Sequence, residues 1–415
     1  MPAGKCHAIS VGSFSRTAGM ARTFDFIIVG KGMMGAAAAR HLARSGARIA
    51  LIGPDEPETW QSHDGVFGSH YDNGRITRTI DPDPVWALLA RRSIERYAEI
   101  ENESGVDFYS ETGCLIAAPL PGGEDGYLDK VISARDRLGV DAPFVEERDL
   151  ADQFPWFRFP VGYGGVFEPR NAGHINPRAL VRAQVALAER AGVTIDRSEV
   201  VSVEETAQAV VVGTARGASY TCGRVLIAAG GFSISRQLFS RPLDLVVKAR
   251  TVLFAEVADD DLPRFAGMPS LIGSSPRQDE SYYLLPPIRY PDGKSYIKIG
   301  GDPSDINLGS EGEVRAWFRR GANQAAADHM AGLLSRAMPT FRPVSLKWSP
   351  CVTTFTRHGY PYIGFSGSDR IAVLTGGNGM AAKSSDEIGR LGALLLENGQ
   401  LETSEYQTDF LVCYR

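Results

Sequence analysis

Apolar positions run unbroken over residues 26–29, the pattern of a strand buried on both faces, and give way to an Ala-rich stretch at 33–44 with no proline and no glycine beyond Gly35. A strand turning into a helix is expected there, with a second strand at 48–52. Residues 84–101 read as one amphipathic helix, short strands follow around Tyr109 and Leu115, and 177–191 has the spacing of a long helix. The alternating segments after it suggest a small β-meander that ends in the apolar run 225–229, closed by Gly230 and Gly231. Residues 243–349 are richer in aromatics and turns, which suits a separate sheet. The sequence IAVLTGG at 371–377 is a strand closed by a glycine turn, and 384–397 has helical spacing.

Gly30, Gly32 and Gly35 lie where the first strand meets its helix, and each has a mechanical reason to be there. Gly30 allows the tight turn, Gly32 lets the backbone approach a pyrophosphate, and Gly35 lets the helix sit close on the strand, with the helix N-terminal N–H groups facing the anion. Strand, helix and second strand in order make this a dinucleotide site. The acid that usually ends the second strand and bonds the ribose is missing. Gly53 stands there, followed by Pro54, Asp55 and Glu56; Asp55, Glu56 or the backbone takes the role, or the two acids are a solvated loop.

The expected fold is α/β (α+β overall), a Rossmann-like nucleotide-binding domain with a second, mainly antiparallel-sheet domain. Residues 24–118, 162–245 and 350–415 fall to the first, and 119–161 and 246–349 to the second. At 415 residues the chain exceeds what one core usually supports, which agrees with two. Its net charge is only -5 with basic residues scattered, against a nucleic-acid or membrane-surface role, and no apolar run approaches the about 18 residues of a membrane span. Residues 1–19 are too polar for a secretory signal and precede a second methionine, Met20; the stretch reads as a disordered leader, given the bounds 1–23, or a start-site artefact. Five cysteines, Cys6, Cys114, Cys222, Cys351 and Cys413, are odd in number and widely spaced, which suits a reducing cytoplasm. The seven histidines show no metal-ligand pairing, so no metal is expected.

Four segments then carry a resemblance: GSHYDNGRITR at 68–78, SYIKIGGD at 295–302, SPCVTTFTRHGYPYIG at 349–364 and TGGNGMAAKSS at 375–385. In order and spacing they resemble the flavin amine oxidases typified by monomeric sarcosine oxidase and N-methyltryptophan oxidase, within the D-amino-acid-oxidase-like superfamily. The resemblance implies FAD rather than NAD, bonded covalently through Cys351. It places Ser69, His70, Val200 and Gly230 at the cofactor, with Gly376, Gly377 and Gly379 in a turn at the flavin pyrimidine edge.

The same resemblance gives Arg75 a place beside the flavin ring and makes Arg78 and Lys383 a clamp for a substrate carboxylate. A guanidinium fork binds a carboxylate bidentately and stays charged, and two cations on one anion orient the reacting carbon. Lys298 matches a lysine that activates dioxygen, for which a fixed cation stabilises the charge that develops. Tyr283 aligns with an active-site tyrosine. Asp302 stands where sarcosine oxidase has a histidine, either to attract a positively charged substrate arm or to cap a turn, and Met380 and His70 mark a reworked entrance. The implied activity is oxidation of a secondary or N-substituted amino acid to an imine, with O2 as acceptor giving H2O2, by a monomer or small homo-oligomer. Oxidation of a cyclic imino acid or glycated amino acid, a dehydrogenase with another acceptor, and a flavin-binding scaffold without turnover remain open.

Overall fold

A computed structural model describes residues 22–122 and 125–415. The proposed leader falls outside the described residues except for Arg22 and Thr23, which open the first strand. That strand, β1 (Arg22–Val29), turns into helix α1 (Met33–Leu42), and the chain returns as β2 (Ile49–Ile52). Ile27 and Ile28 are fully buried because β1 pairs on both sides, in parallel, with β2 and with the strand Ser219–Ile227. The parallel ladder extends through Thr194–Asp196 on one side and Ile371–Thr375 on the other. Three antiparallel strands complete this eight-stranded sheet.

Helix α1 and the helix Ser385–Asn398 cover one face of this sheet. The two helices approach closely at Gly389, where a Cβ would lie 2.5 Å from the Ala37 Cβ. Gly35 lets α1 sit close on the turn before it, since a Cβ there would lie 1.9 Å from the Gly30 carbonyl oxygen. Asp386, fully buried, ties the layer together by accepting from Arg40 at 2.8 Å, Gln184 at 2.8 Å and Arg96 at 2.5 Å. Burial alone would raise its pKa, but His41 and these two guanidiniums hold it well below the ordinary carboxylate value.

The second sheet has nine strands and is antiparallel except where Ser270–Gly273 runs alongside Cys114–Pro119. Its long spine is Leu245–Val257, paired with Ser295–Gly300 and with Leu346–Thr356. A three-stranded sheet, β3 (Arg75–Thr77) with Gly173–Ile175 and Tyr109–Ser110, sits apart from both. No helix among the described residues is long and apolar enough to cross a membrane.

Three sequence readings need revision. Cys114–Pro119, which crosses the expected boundary at 118, and Tyr163–Glu168, within a segment given to the first domain, pair with each other in the second sheet, and Leu346–Thr356 straddles the expected boundary at 350 while belonging to that sheet. Their partners are distant in sequence, so local pattern carries no information about which sheet they join. Residues 84–101 form two helices, α2 (Pro84–Ile94) and α3 (Tyr97–Ser104). Asp83 caps the first through the Val85 and Trp86 N–H groups; at the break the Arg96 N–H bonds Ser93, three residues back, and the Arg96 side chain reaches Asp386 and Glu387.

Candidate active site

An apolar cleft follows the glycine turn. Gly30 to Met34 and Gly53 line it, together with Cys351 to Thr354, Gly376, Gly377 and Gly379. Gly32 is the N-cap of α1 and carries no side-chain cap, which leaves the first-turn N–H groups to an external anion. A Cβ there would meet only the His70 Nδ1, at 3.8 Å, so the backbone opens directly on the cleft. Ser69, His70, Arg75, Val200 and Gly230 also stand on its wall. Gly35 does not, consistent with its packing role.

Arg75 joins two of the sequence-predicted residues. Its guanidinium donates to the Ser69 carbonyl at 3.1 Å and to the Cys351 sulfur at 3.6 Å. Ser69 in turn donates to the Val352 carbonyl at 3.0 Å, so the loop 68–78 and the strand Leu346–Thr356 are stitched together at the cleft wall. His70 is neutral, because burial and then Arg178, Lys31 and Arg75 push its pKa down to about 3.

Lys298 is fully buried in the middle of Ser295–Gly300. It donates to the Asp72 carboxylate at 2.5 Å and to the Gly74 carbonyl at 2.7 Å, and its Nζ lies 5.7 Å from the centre of the Tyr283 ring. Asp72 also pairs with Arg75 and accepts from Tyr290 at 2.8 Å. Burial and then Arg75 lower the Lys298 pKa, while the carboxylate at contact distance favours the charged form.

Arg78 and Lys383 converge, as the sequence reading requires, but on a residue of the chain. Asp81 Oδ2 lies 3.4 Å from Arg78 and 3.2 Å from the Lys383 Nζ. Burial alone would raise the Asp81 pKa; Lys383 and Arg78 hold it below the ordinary value. Neither cation is on the wall of the cleft, although Ala381 and Ala382, just before Lys383, are.

The Asp302 oxygens accept from the backbone N–H groups of Thr251 at 2.6 Å and Ser304 at 2.8 Å, the pattern of a turn cap. Met380 is half-buried and packs on the core beneath α1 rather than on the cleft wall. Asp55 pairs with Lys31 and, at 3.1 Å, with Arg197; Glu56 accepts two hydrogen bonds from Arg178, at 2.6 and 2.7 Å. Both acids are therefore engaged with cations, and the cleft is lined by Gly53 and Pro54 instead.

Sequence reasoning missed Lys31, Asp72, Asp81 and Glu199. Lys31 sits inside the glycine motif, and Glu199 lines the cleft while accepting from Arg315 at 2.6 Å. For Asp81 the signal was available: it follows Arg78 by three residues and directly precedes Pro82 in the run RTIDPDP.

The DAO family of FAD dependent oxidoreductases matches residues 25–395. This chain belongs to that family. It is 26% identical over 398 residues to a monomeric sarcosine oxidase from Bacillus sp. strain NS-129, covering 92% of this chain and 95% of the relative. An N-methyl-L-tryptophan oxidase from Citrobacter koseri is 24% identical over 279 residues, 67% of this chain and 69% of that one. Among solved structures, NikD, an unusual amino acid oxidase essential for nikkomycin biosynthesis, superposes with a TM-score of 0.75 at 19% identity, covering 95% and 98% of the two chains. L-proline dehydrogenase from P. horikoshii gives 0.70 at 15%, covering 94% and 98%. FAD is the cofactor of the DAO family, and the cleft has features that suit it: an uncapped helix N-terminus and an open Gly32 match a pyrophosphate, and the glycine turn at 376–379 and Cys351 stand on the same wall.

Proposed function

We propose that this flavoprotein oxidises the C–N bond of a secondary or N-substituted amine, an N-methyl amino acid or its counterpart without the carboxylate, to an imine, with O2 as electron acceptor. The substrate loses a hydride and a proton, water hydrolyses the imine, and O2 takes two electrons and two protons to become H2O2. FAD, when bound, supplies the hydride acceptor and the relay to O2. The chain's own residues bind and orient. The observation that carries this reading is the Arg75–Cys351 contact on the cleft wall, between two sequence-distant residues of the resemblance.

Cys351 is the candidate for the covalent bond to FAD, and Arg75 fixes the loop that faces it. Arg78 Nε and Lys383 Nζ, both buried without a well-aligned acceptor, supply donors for a polar end of the substrate. Neutral His70 keeps one more positive charge out of the cleft. No side chain is assigned as catalytic base, since a neutral amine needs none. Four free cysteines among the described residues suit a reducing, cytoplasmic setting.

A second reading, a dehydrogenase handing electrons to an acceptor other than O2, is favoured by one observation: Lys298 is paired with Asp72, which offsets the charge otherwise offered to O2. The test is anaerobic flavin bleaching with a panel of N-methyl, cyclic and glycated amino acids and their parent amines, followed by mixing with O2. Bleaching and rapid recolouring are expected. A flavin that no member of the panel bleaches overturns the reaction class, and one that recolours only with a dye or quinone selects the dehydrogenase.

A further inference from the structure

The pair Arg78 and Lys383 already holds a carboxylate. Asp81 is 3% exposed, one of its oxygens faces both cations, and the other accepts the Asp83 N–H at 3.1 Å. The side chain is thus anchored from behind by its own loop and presented forward to the cations. Asp81 is not the sole acid near the pair. Glu168 is buried beside Arg78, with its oxygens accepting from the N–H groups of Thr79 at 2.7 Å and Ile80 at 3.0 Å. Two cations and two acids leave the cluster with little net positive charge, so an incoming carboxylate finds donors but not an electrostatic vacancy. It has to lie close to Asp81, and like charges at short range in a buried site repel strongly.

Resting on the amine-oxidation reading above, we infer that Asp81 is a specificity-determining residue: a built-in anion at the Arg78–Lys383 pair that competes with a substrate α-carboxylate and so favours amines lacking one. Arg78 Nε, which has no hydrogen-bond partner, and Lys383 Nζ, whose one ion pair to Asp81 leaves N–H groups over, then serve a neutral acceptor, such as a carbonyl, ether or hydroxyl oxygen, which meets the donors without adding charge. The amide of Asp81→Asn is the discriminating change. It keeps an oxygen for the Asp83 N–H and the volume of the side chain but removes the competing charge, whereas Asp81→Glu keeps the charge.

The experiment uses the flavin-loaded enzyme and two readouts. Acetate is titrated and followed by perturbation of the flavin spectrum in the parent protein, Asp81→Asn and Asp81→Glu. N-methylalanine and N-methylethylamine, which share a skeleton and differ by the carboxylate, are compared by kcat/KM. Expected are at least tenfold tighter acetate binding in Asp81→Asn alone, and a rise of at least tenfold in its preference for N-methylalanine. The parent protein should oxidise N-methylethylamine at least as well as N-methylalanine. Unchanged or weaker acetate binding in a flavin-replete Asp81→Asn overturns the inference. If that variant does not hold flavin, the parent decides: a preference above a hundredfold for N-methylalanine overturns it equally. Should neither compound reduce the flavin, the proposed reaction fails, and the acetate titration still reads the role of Asp81.

Discussion

Lys298 and Asp72, 226 positions apart in the chain, meet at 2.5 Å inside the protein, with Lys298 contributing no exposed surface at all. The same carboxylate pairs with Arg75 and accepts from Tyr290 and from the backbone N–H of Asn73. Removing it leaves two cations facing one another in a buried space. Asp72→Ala should therefore lower unfolding free energy by about 3–5 kcal/mol, the scale for breaking a buried pair by deleting one partner. Urea unfolding of parent and variant measures this, and a loss below about 1 kcal/mol would mean that the pair behaves like a surface one.

Lys298 also bears on the oxidative half-reaction. If its ammonium stabilises charge developing on O2, Lys298→Met slows flavin reoxidation by roughly 10²–10³-fold, the range seen when one preorganised donor is removed, and changes anaerobic reduction much less. Stopped-flow measurement of each half-reaction separates them. An equal loss in both assigns the lysine to structure through Asp72.

Cys351 stands on the wall of the cleft, with its sulfur within reach of Arg75. The flavin colour is expected to stay with the polypeptide through acid precipitation and a denaturing gel, and Cys351→Ser is expected to release it to the supernatant. Covalent colour retained by that variant would move the linkage elsewhere.

Arg78 and Lys383 form one anion-binding unit, so their contributions are not independent. In the Asp81→Asn background, where a carboxylate meets both cations without competition, Arg78→Ala or Lys383→Met should weaken acetate binding by roughly 2–5 kcal/mol. The double replacement should cost less than the sum of the two, since both cations share one anion. Spectral titration reads all four proteins, and additive losses would show that the two cations hold different groups.

His174 supplies a pH dependence. It is 8% exposed, its Nδ1 has no hydrogen-bond partner, and burial pushes its pKa down to about 4. As pH falls below about 6.5 the unfolded chain takes up this proton and the folded one does not, so stability falls until about pH 4 and this residue contributes nothing further below that. The loss is at most about 1.4 kcal/mol per pH unit, or about 3 kcal/mol across the window. Urea unfolding across that range should show a shallower slope for His174→Asn than for the parent. An identical slope would exclude His174 as the source.

Local signals were legible wherever the cause was local. The turn at Gly30 to Gly35, the helix starting after Asn176 with Pro177 in its first turn, and the strand Ile371–Thr375 ending at Gly376 all follow from periodicity, capping and turn chemistry within a few residues. The pattern at 84–101 was apolar in the right places and still broke into two helices, because Arg96 is drawn to Asp386 and Glu387 on another helix.

By itself, the sequence determined the order of strands and helices, the dinucleotide turn and the residue types available for chemistry, since each depends on short-range geometry and on side-chain identity. Only the tertiary structure decided that Cys114–Pro119 and Tyr163–Glu168 leave the first sheet, and that Asp302 turns to the backbone. It also decided that the cations Lys298, Arg78 and Lys383 are met by Asp72 and Asp81. Charges are placed by which strands pair and which loops close over them, and a buried cation takes the nearest carboxylate the fold delivers.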